Sequence, residues 1–169
     1  LDFIKVSNGC ISCDVIDADL SGADLSKKDF TGVNLTGSDL KGVDFSKSIL
    51  VSSNFTSTDL SGAKLEGVNL TGVNFTNSEM YGLDLVNINL TDANLTDVNL
   101  SGSSLFAANL TRANLTRANL SNVNLFGANL TGANLTGANL TGADIFGVKT
   151  DGAILCNTLM PGGVNNSRC

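Results

Sequence analysis

Histidine and tryptophan are absent from this 169-residue chain, and proline and tyrosine occur once each. Without histidine there is no imidazole base titrating near neutral pH, no Ser-His or Cys-His pair, and no imidazole ligand for zinc. No Gly-rich loop precedes a helix signal, so a phosphate cradle of the usual kind is excluded as well. Aromatic residues make up 5% of the chain and charged residues 15%. Such scarcity would fit disorder, were the apolar residues not placed so strictly. No run of about 18 apolar residues is found, so no segment reads as a membrane-spanning helix. No signal peptide is visible, and a start at Leu1 fits a processed or trimmed chain.

What is present is a period. Every fifth residue from Leu20 to Ile145 is Leu, Phe, Met or Ile, 26 consecutive positions without an insertion or deletion. Two residues before each (position i−2) sits a second set, mostly Ala, Val, Ser or Thr. A five-residue step turns a helix by about 500°, so a helix would scatter these side chains over all its sides. A flat strand fails too, because an odd period sends successive residues to opposite faces. The chain must instead turn a corner every five residues, with i and i−2 inside. That is a single-domain solenoid of very short strands.

The repeats, at their most regular in Ala128 to Asp144 (ANLTGANLTGANLTGAD), resemble the A(D/N)LXX motif of the pentapeptide-repeat family. The resemblance covers about residues 16 to 155. It implies an all-β fold, a right-handed quadrilateral parallel β-helix with four pentapeptides per 20-residue coil. About seven coils at roughly 4.8 Å each would make a rod about 33 Å tall. We expect a cap segment at 1–15, the β-helix at 16–155 and a C-terminal tail or cap at 156–169. Interior columns then read Leu20, Leu40, Leu60, Met80, Leu100, Leu120, Leu140 and, on another face, Leu35, Phe55, Phe75, Leu95, Leu115, Leu135. Fifteen of the 18 glycines fall two residues after i, where a corner calls for positive φ. Lys28 breaks the i−2 rule and is expected to reach out of the open end. Thr150 in an i slot points to a loosened last coil, and the oversized Leu83 and Ile88 to widened middle coils.

The four cysteines lie at the ends: Cys10 and Cys13 before the solenoid, Cys156 and Cys169 after it. With about seven coils between the two pairs, oxidation can only join Cys10 to Cys13 and Cys156 to Cys169. Each bond would staple a terminus and imply an oxidising compartment. Free thiols, a redox dithiol and half a zinc site are the alternatives. A redox pair would want a βαβ context, and zinc would need two more ligands. Exported family members of the periplasm or thylakoid lumen have similar cysteine-flanked ends, so either location is expected, with the cytoplasm as alternative.

Function must be written on the outward positions i−1, i+1 and i+2. Asp19, Asp39, Asp59 and Glu79 form an acidic column. Residues 1–84 hold 12 acids and 6 bases, net −6, whereas residues 85–169 hold 4 of each. A solvated face that discourages stacking of rods, a cation site such as calcium, and a partner surface are the readings; parallel carboxylates converge poorly on one ion. Phe106, Phe126 and Phe146 form an aromatic column on the neutral half, either covered by the tail through Leu155, Leu159 and Met160, open to a second copy or partner, or simply exposed. Thr and Asn columns read as hydrogen-bonded ladders, with Asn-Leu-Thr sequons as their by-product.

No catalytic, cofactor or metal residues are expected, since the carboxylates sit on a convex rod without a pocket. The expected function is a non-catalytic structural or protein-interaction module, monomeric or weakly dimeric, with a protein partner, no direct nucleic acid and no membrane insertion. The alternative is an acidic DNA mimic acting on a type II topoisomerase such as gyrase, as some family members resemble duplex DNA. A 33 Å length of duplex carries roughly twenty charges, and these 16 acids are offset by 10 bases. A redox enzyme using Cys10 and Cys13 is a third option.

Overall fold

The structure, a computed structural model, describes Ile4, residues 7–166 and residues 168–169. It is a right-handed quadrilateral β-helix. Parallel pairing joins i−1 residues 20 apart, from Gly9 with Asp29 up to Asn139 with Leu159, with one break described below. At most pairs the Leu20-type amide donates up the rod and the residue paired across donates down it: Leu20 N–H to the Asp39 carbonyl at 2.9 Å, and Asp39 N–H to the Ala18 carbonyl at 2.9 Å. The corner closes with a turn bond, such as Ala23 N–H to the Leu20 carbonyl at 3.0 Å.

Corners impose their own backbone. Residue i+2 has positive φ whether it is Gly132 at 68°, Arg112 at 56° or Ala107 at 54°. Glycine meets this demand without a Cβ penalty, which explains its concentration there.

The interior is one continuous apolar column from Ile4 to Ala153. Leu, Phe and Met at i are almost completely buried, with Ala, Val and Ser of i−2 filling the gaps between them. Phe30, Phe45 and Phe55 meet edge to face at 5.9 and 5.8 Å, and Phe55 contacts Phe75 at 5.0 Å. These rings fill the core of the N-terminal half, whereas leucine fills the other.

Besides Cys10–Cys13, three turns among the described residues lack the corner bond: Val15–Ala18, Leu25–Lys28 and Met80–Leu83. In each, a buried serine of the next coil inserts its hydroxyl. Ser38, Ser48 and Ser103 donate to the carbonyls of Val15, Leu25 and Met80 at 2.8, 2.7 and 2.8 Å. The same oxygens accept from the amides of Ala18, Lys28 and Leu83 at 3.1, 3.4 and 3.0 Å. These three buried hydroxyls are thus satisfied by backbone that the turn leaves open.

Among the described residues the parallel pairing skips one step, Lys64 with Asp84. There the amides of Leu65, Gly67 and Asp84 have no backbone partner. The cause is size: Leu83 and Ile88 occupy i−2 slots that hold mostly Ala, Val, Ser or Thr elsewhere, and both are buried. They wedge the coils apart on this face, opening a groove of about 420 Å³ lined by Ala63, Leu65, Val86, Ile88, Lys64 and Glu66.

At the N-terminal end the expectation for Lys28 is corrected. Its ammonium does not leave through an open end but donates to the Ile4 carbonyl at 3.0 Å. At the other end Thr150 is exposed and Ile145 only half-buried. A cavity of about 260 Å³ opens there among Leu135, Leu140, Ile145, Leu155 and Met160. A hairpin of β1 (Thr158–Met160) and β2 (Gly163–Asn165) lies over this end, Leu159 facing Val164.

Candidate interaction surfaces

Phe106, Phe126 and Phe146 stand at i+1 in successive coils, so the 20-residue repeat stacks them vertically. Ring centroids are 5.5 and 5.4 Å apart and the planes differ by 7° and 25°. Hydrogen bonds at the corner fix their backbone: Phe126 N–H donates to Asn124 Oδ1 at 3.0 Å and Phe146 N–H to Asp144 Oδ1 at 3.1 Å. The rings are 39%, 39% and 73% exposed, so no part of the described chain covers them.

The tail in particular lies elsewhere. Leu140 N–H donates to the Leu159 carbonyl at 2.7 Å, and the Thr158 hydroxyl to the Leu135 carbonyl at 2.7 Å. Leu155 and Met160 line the end cavity instead. Below the ladder in the same column come Val86, 42% exposed, and Glu66, both at the groove.

The acidic column is engaged with its own turns. Asp19 Oδ1 accepts from the amide and hydroxyl of Ser21 at 3.0 and 2.7 Å. Lys41 sits between Asp39 and Asp59 at 3.3 and 3.2 Å. Burial opposes ionisation of Asp59, but bonds from Ser61 and Lys41 outweigh it and hold its carboxyl below the usual range. Glu79 accepts from Asn99 Nδ2 at 2.7 Å. No group of metal-ligating residues converges among the described residues.

Two inter-coil ion pairs escape a reading based on columns of like residues. Arg112 forks onto Asp92 through Nε and a terminal nitrogen, both at 2.7 Å, and Arg117 onto Asp97 at 2.7 and 2.6 Å. These bonds hold both carboxyls below the ordinary aspartate range. The signal was available, because each arginine follows its aspartate by 20 residues at i+2.

The polar ladders are internal as well. Thr56 Oγ1 donates to Asn54 Oδ1 at 2.6 Å, while Asn54 Nδ2 donates to Thr36 Oγ1 at 3.0 Å one coil down. The hydroxyls of Thr36, Thr56, Thr71, Thr76, Thr91 and Thr96 thus each have their donor committed and one lone pair filled.

The cysteines form two disulfides, Cys10 with Cys13 and Cys156 with Cys169, with Cα atoms 5.7 and 4.8 Å apart. The first closes the first corner, where Cys10 takes an i slot and Cys13 an i−2 slot. The second ties the hairpin's far end back to the last coil.

Pentapeptide repeats match the chain in 8 copies, over residues 13–50, 53–92, 84–122, 93–132 and 124–160. The chain belongs to the pentapeptide-repeat family. Among solved structures it is similar to HetL, a pentapeptide repeat protein involved in heterocyst differentiation regulation in the cyanobacterium Nostoc. That match has 25% identity, covers 94% of this chain and 93% of HetL, and has a TM-score of 0.49. It is also similar to QnrB1, a plasmid-mediated fluoroquinolone resistance protein, at 17% identity over 85% and 89% of the two chains, TM-score 0.39. A thylakoid-lumen pentapeptide repeat protein of Arabidopsis thaliana matches at 27% identity over 63% and 68%, TM-score 0.27. No curated protein matches the chain. Family membership supports a repeat module without catalytic function, the coarse form of the expectation from sequence.

Proposed function

We propose that this protein is a non-catalytic rod that presents the Phe106, Phe126 and Phe146 ladder to a protein partner. The observation that carries this reading is three exposed phenylalanine rings stacked in one column, where the other exposed aromatic and aliphatic side chains among the described residues form no such stack. Exposed apolar patches of this kind mark interfaces. In this reading the described residues before 16 and after 155 cap a solenoid of residues 16–155, and the acidic column Asp19, Asp39, Asp59 and Glu79 keeps the other half soluble and unpaired.

The two disulfides favour an exported location, a periplasm or thylakoid lumen, over the cytoplasm. Charge counts against the DNA-mimic alternative, since residues 85–169 carry 4 acids and 4 bases and offer no continuous acidic stripe.

The experiment is co-purification from the native host with wild-type protein and a Phe126→Ser variant. Partners that depend on Phe126, while the variant keeps its β-helical circular dichroism, support the reading. Partners identical for both proteins refute it. Alkylation of thiols at lysis tests the location: all four cysteines are expected to escape the reagent until they are reduced.

A further inference from the structure

Resting on the reading of the Phe ladder as an interface, we propose that the ladder's partner is a second copy of this chain, docked side by side and antiparallel about Phe126.

Three observations converge on a self-complementary contact. The ladder is evenly spaced about its middle ring, with neighbours at 5.5 Å below and 5.4 Å above, although Phe146 is more tilted and more exposed than Phe106. A two-fold contact places one patch against itself, so such spacing suits an isologous interface. With the axis through Phe126, Phe106 of each copy faces Phe146 of the other.

Charge selects both the surface and the direction. The protein carries −6 overall, and residues 1–84 account for it with 12 acids against 6 bases. Residues 85–169 hold 4 of each, so the ladder lies on the half where two identical rods approach without like-charge repulsion. An antiparallel arrangement sends the two acidic halves to opposite ends. A parallel one would align the columns Asp19, Asp39, Asp59, Glu79 of both copies.

Local shape admits the approach. Beside the rings runs a column of small residues, Ala107, Gly127 and Gly147, and the space over Gly127 is open. The chain's own tail cannot compete, since Leu159 is bound over Ala138 and Leu140. Three rings and their small neighbours fall short of the roughly 800 Å² per partner of tight complexes, so the equilibrium is fast and weaker than about 1 µM.

Sedimentation equilibrium of the oxidised chain, from micromolar to about 1 mM protein and at low and high NaCl, tests this. The expected result is a monomer–dimer equilibrium that salt leaves unchanged or strengthens, abolished by Phe126→Ser and retained by Leu159→Ser at the far end. A strictly monomeric wild type overturns the proposal. So does a dimer that survives Phe126→Ser, because it would use another surface such as the open C-terminal end. A monomeric wild type whose host partners still depend on Phe126 would sink the self-association and leave the interface itself standing.

Discussion

The hydroxyl of Ser103 lies inside the turn of the coil beneath it, accepting the Leu83 amide at 3.0 Å while donating to the Met80 carbonyl at 2.8 Å. Where every other corner of this region closes on itself, this one is held open and closed by a residue of the next coil. Removing the hydroxyl strands a buried donor and a buried acceptor together. Ser103→Ala is therefore expected to cost about 2 kcal/mol. Ser53 makes only the donated bond, to Phe30 at 2.9 Å, over a turn already closed by Val33. Ser53→Ala should cost nearer 1 kcal/mol. Thermal melts of the two variants check the order; equal losses would contradict the bridging role.

Amide exchange should locate the wedge made by Leu83 and Ile88. Leu65, Gly67 and Asp84 lack backbone partners, whereas their counterparts Leu95 and Asn114 donate at 2.7 and 2.9 Å. The first three amides are expected to exchange faster by orders of magnitude under native conditions. Uniform protection along the rod would show the coils closed there.

Acid should weaken the C-terminal half through its ion pairs. Hydrogen bonds from Arg112 and Arg117 hold Asp92 and Asp97 below the ordinary carboxylate value of about 3.9. A carboxylate that binds its proton less tightly when folded stabilises fully above its unfolded value, and that contribution is lost as pH falls through the folded one. The melting temperature is expected to drop between about pH 4 and pH 2. Arg112→Gln with Arg117→Gln should lower it at pH 7 and flatten that drop.

Corner backbone offers a gain in stability. Ala107 holds φ 54° with a Cβ, at a cost of about 1–2 kcal/mol. Ala107→Gly removes that cost and gives back about 0.4–1 kcal/mol in unfolded-chain entropy. A net stabilisation of about 0.5–1 kcal/mol is expected. The reverse change, Gly127→Ala, meets open space around its Cβ, so its loss would report the backbone alone.

The five-residue step revealed the interior because inside and outside are fixed by position in the repeat, and Leu20 through Leu140 lie where the columns place them. The aromatic ladder was legible for the same reason. The serine bridges were not, because whether a turn opens depends on the fit of one coil on the next, which composition does not encode. Leu83 and Ile88 announced a misfit by their size, but the break at Lys64 and Asp84 follows from how neighbouring coils share it. Lys28 was misread because Ile4 belongs to no repeat, so nothing in the period says where its carbonyl lies.

The inter-coil hydrogen bonds join residues 18 to 24 positions apart, and the same short span recurs along the whole rod. Relative to chain length that is a contact order of about 0.12, the range of mixed α/β domains rather than of β-sandwiches. No strand must wait for a partner at the far end of the chain. An all-β protein is thus assembled from local searches, each coil templating the next. During synthesis the N-terminal coils can be complete while the coils that carry Phe106, Phe126 and Phe146 are still on the ribosome.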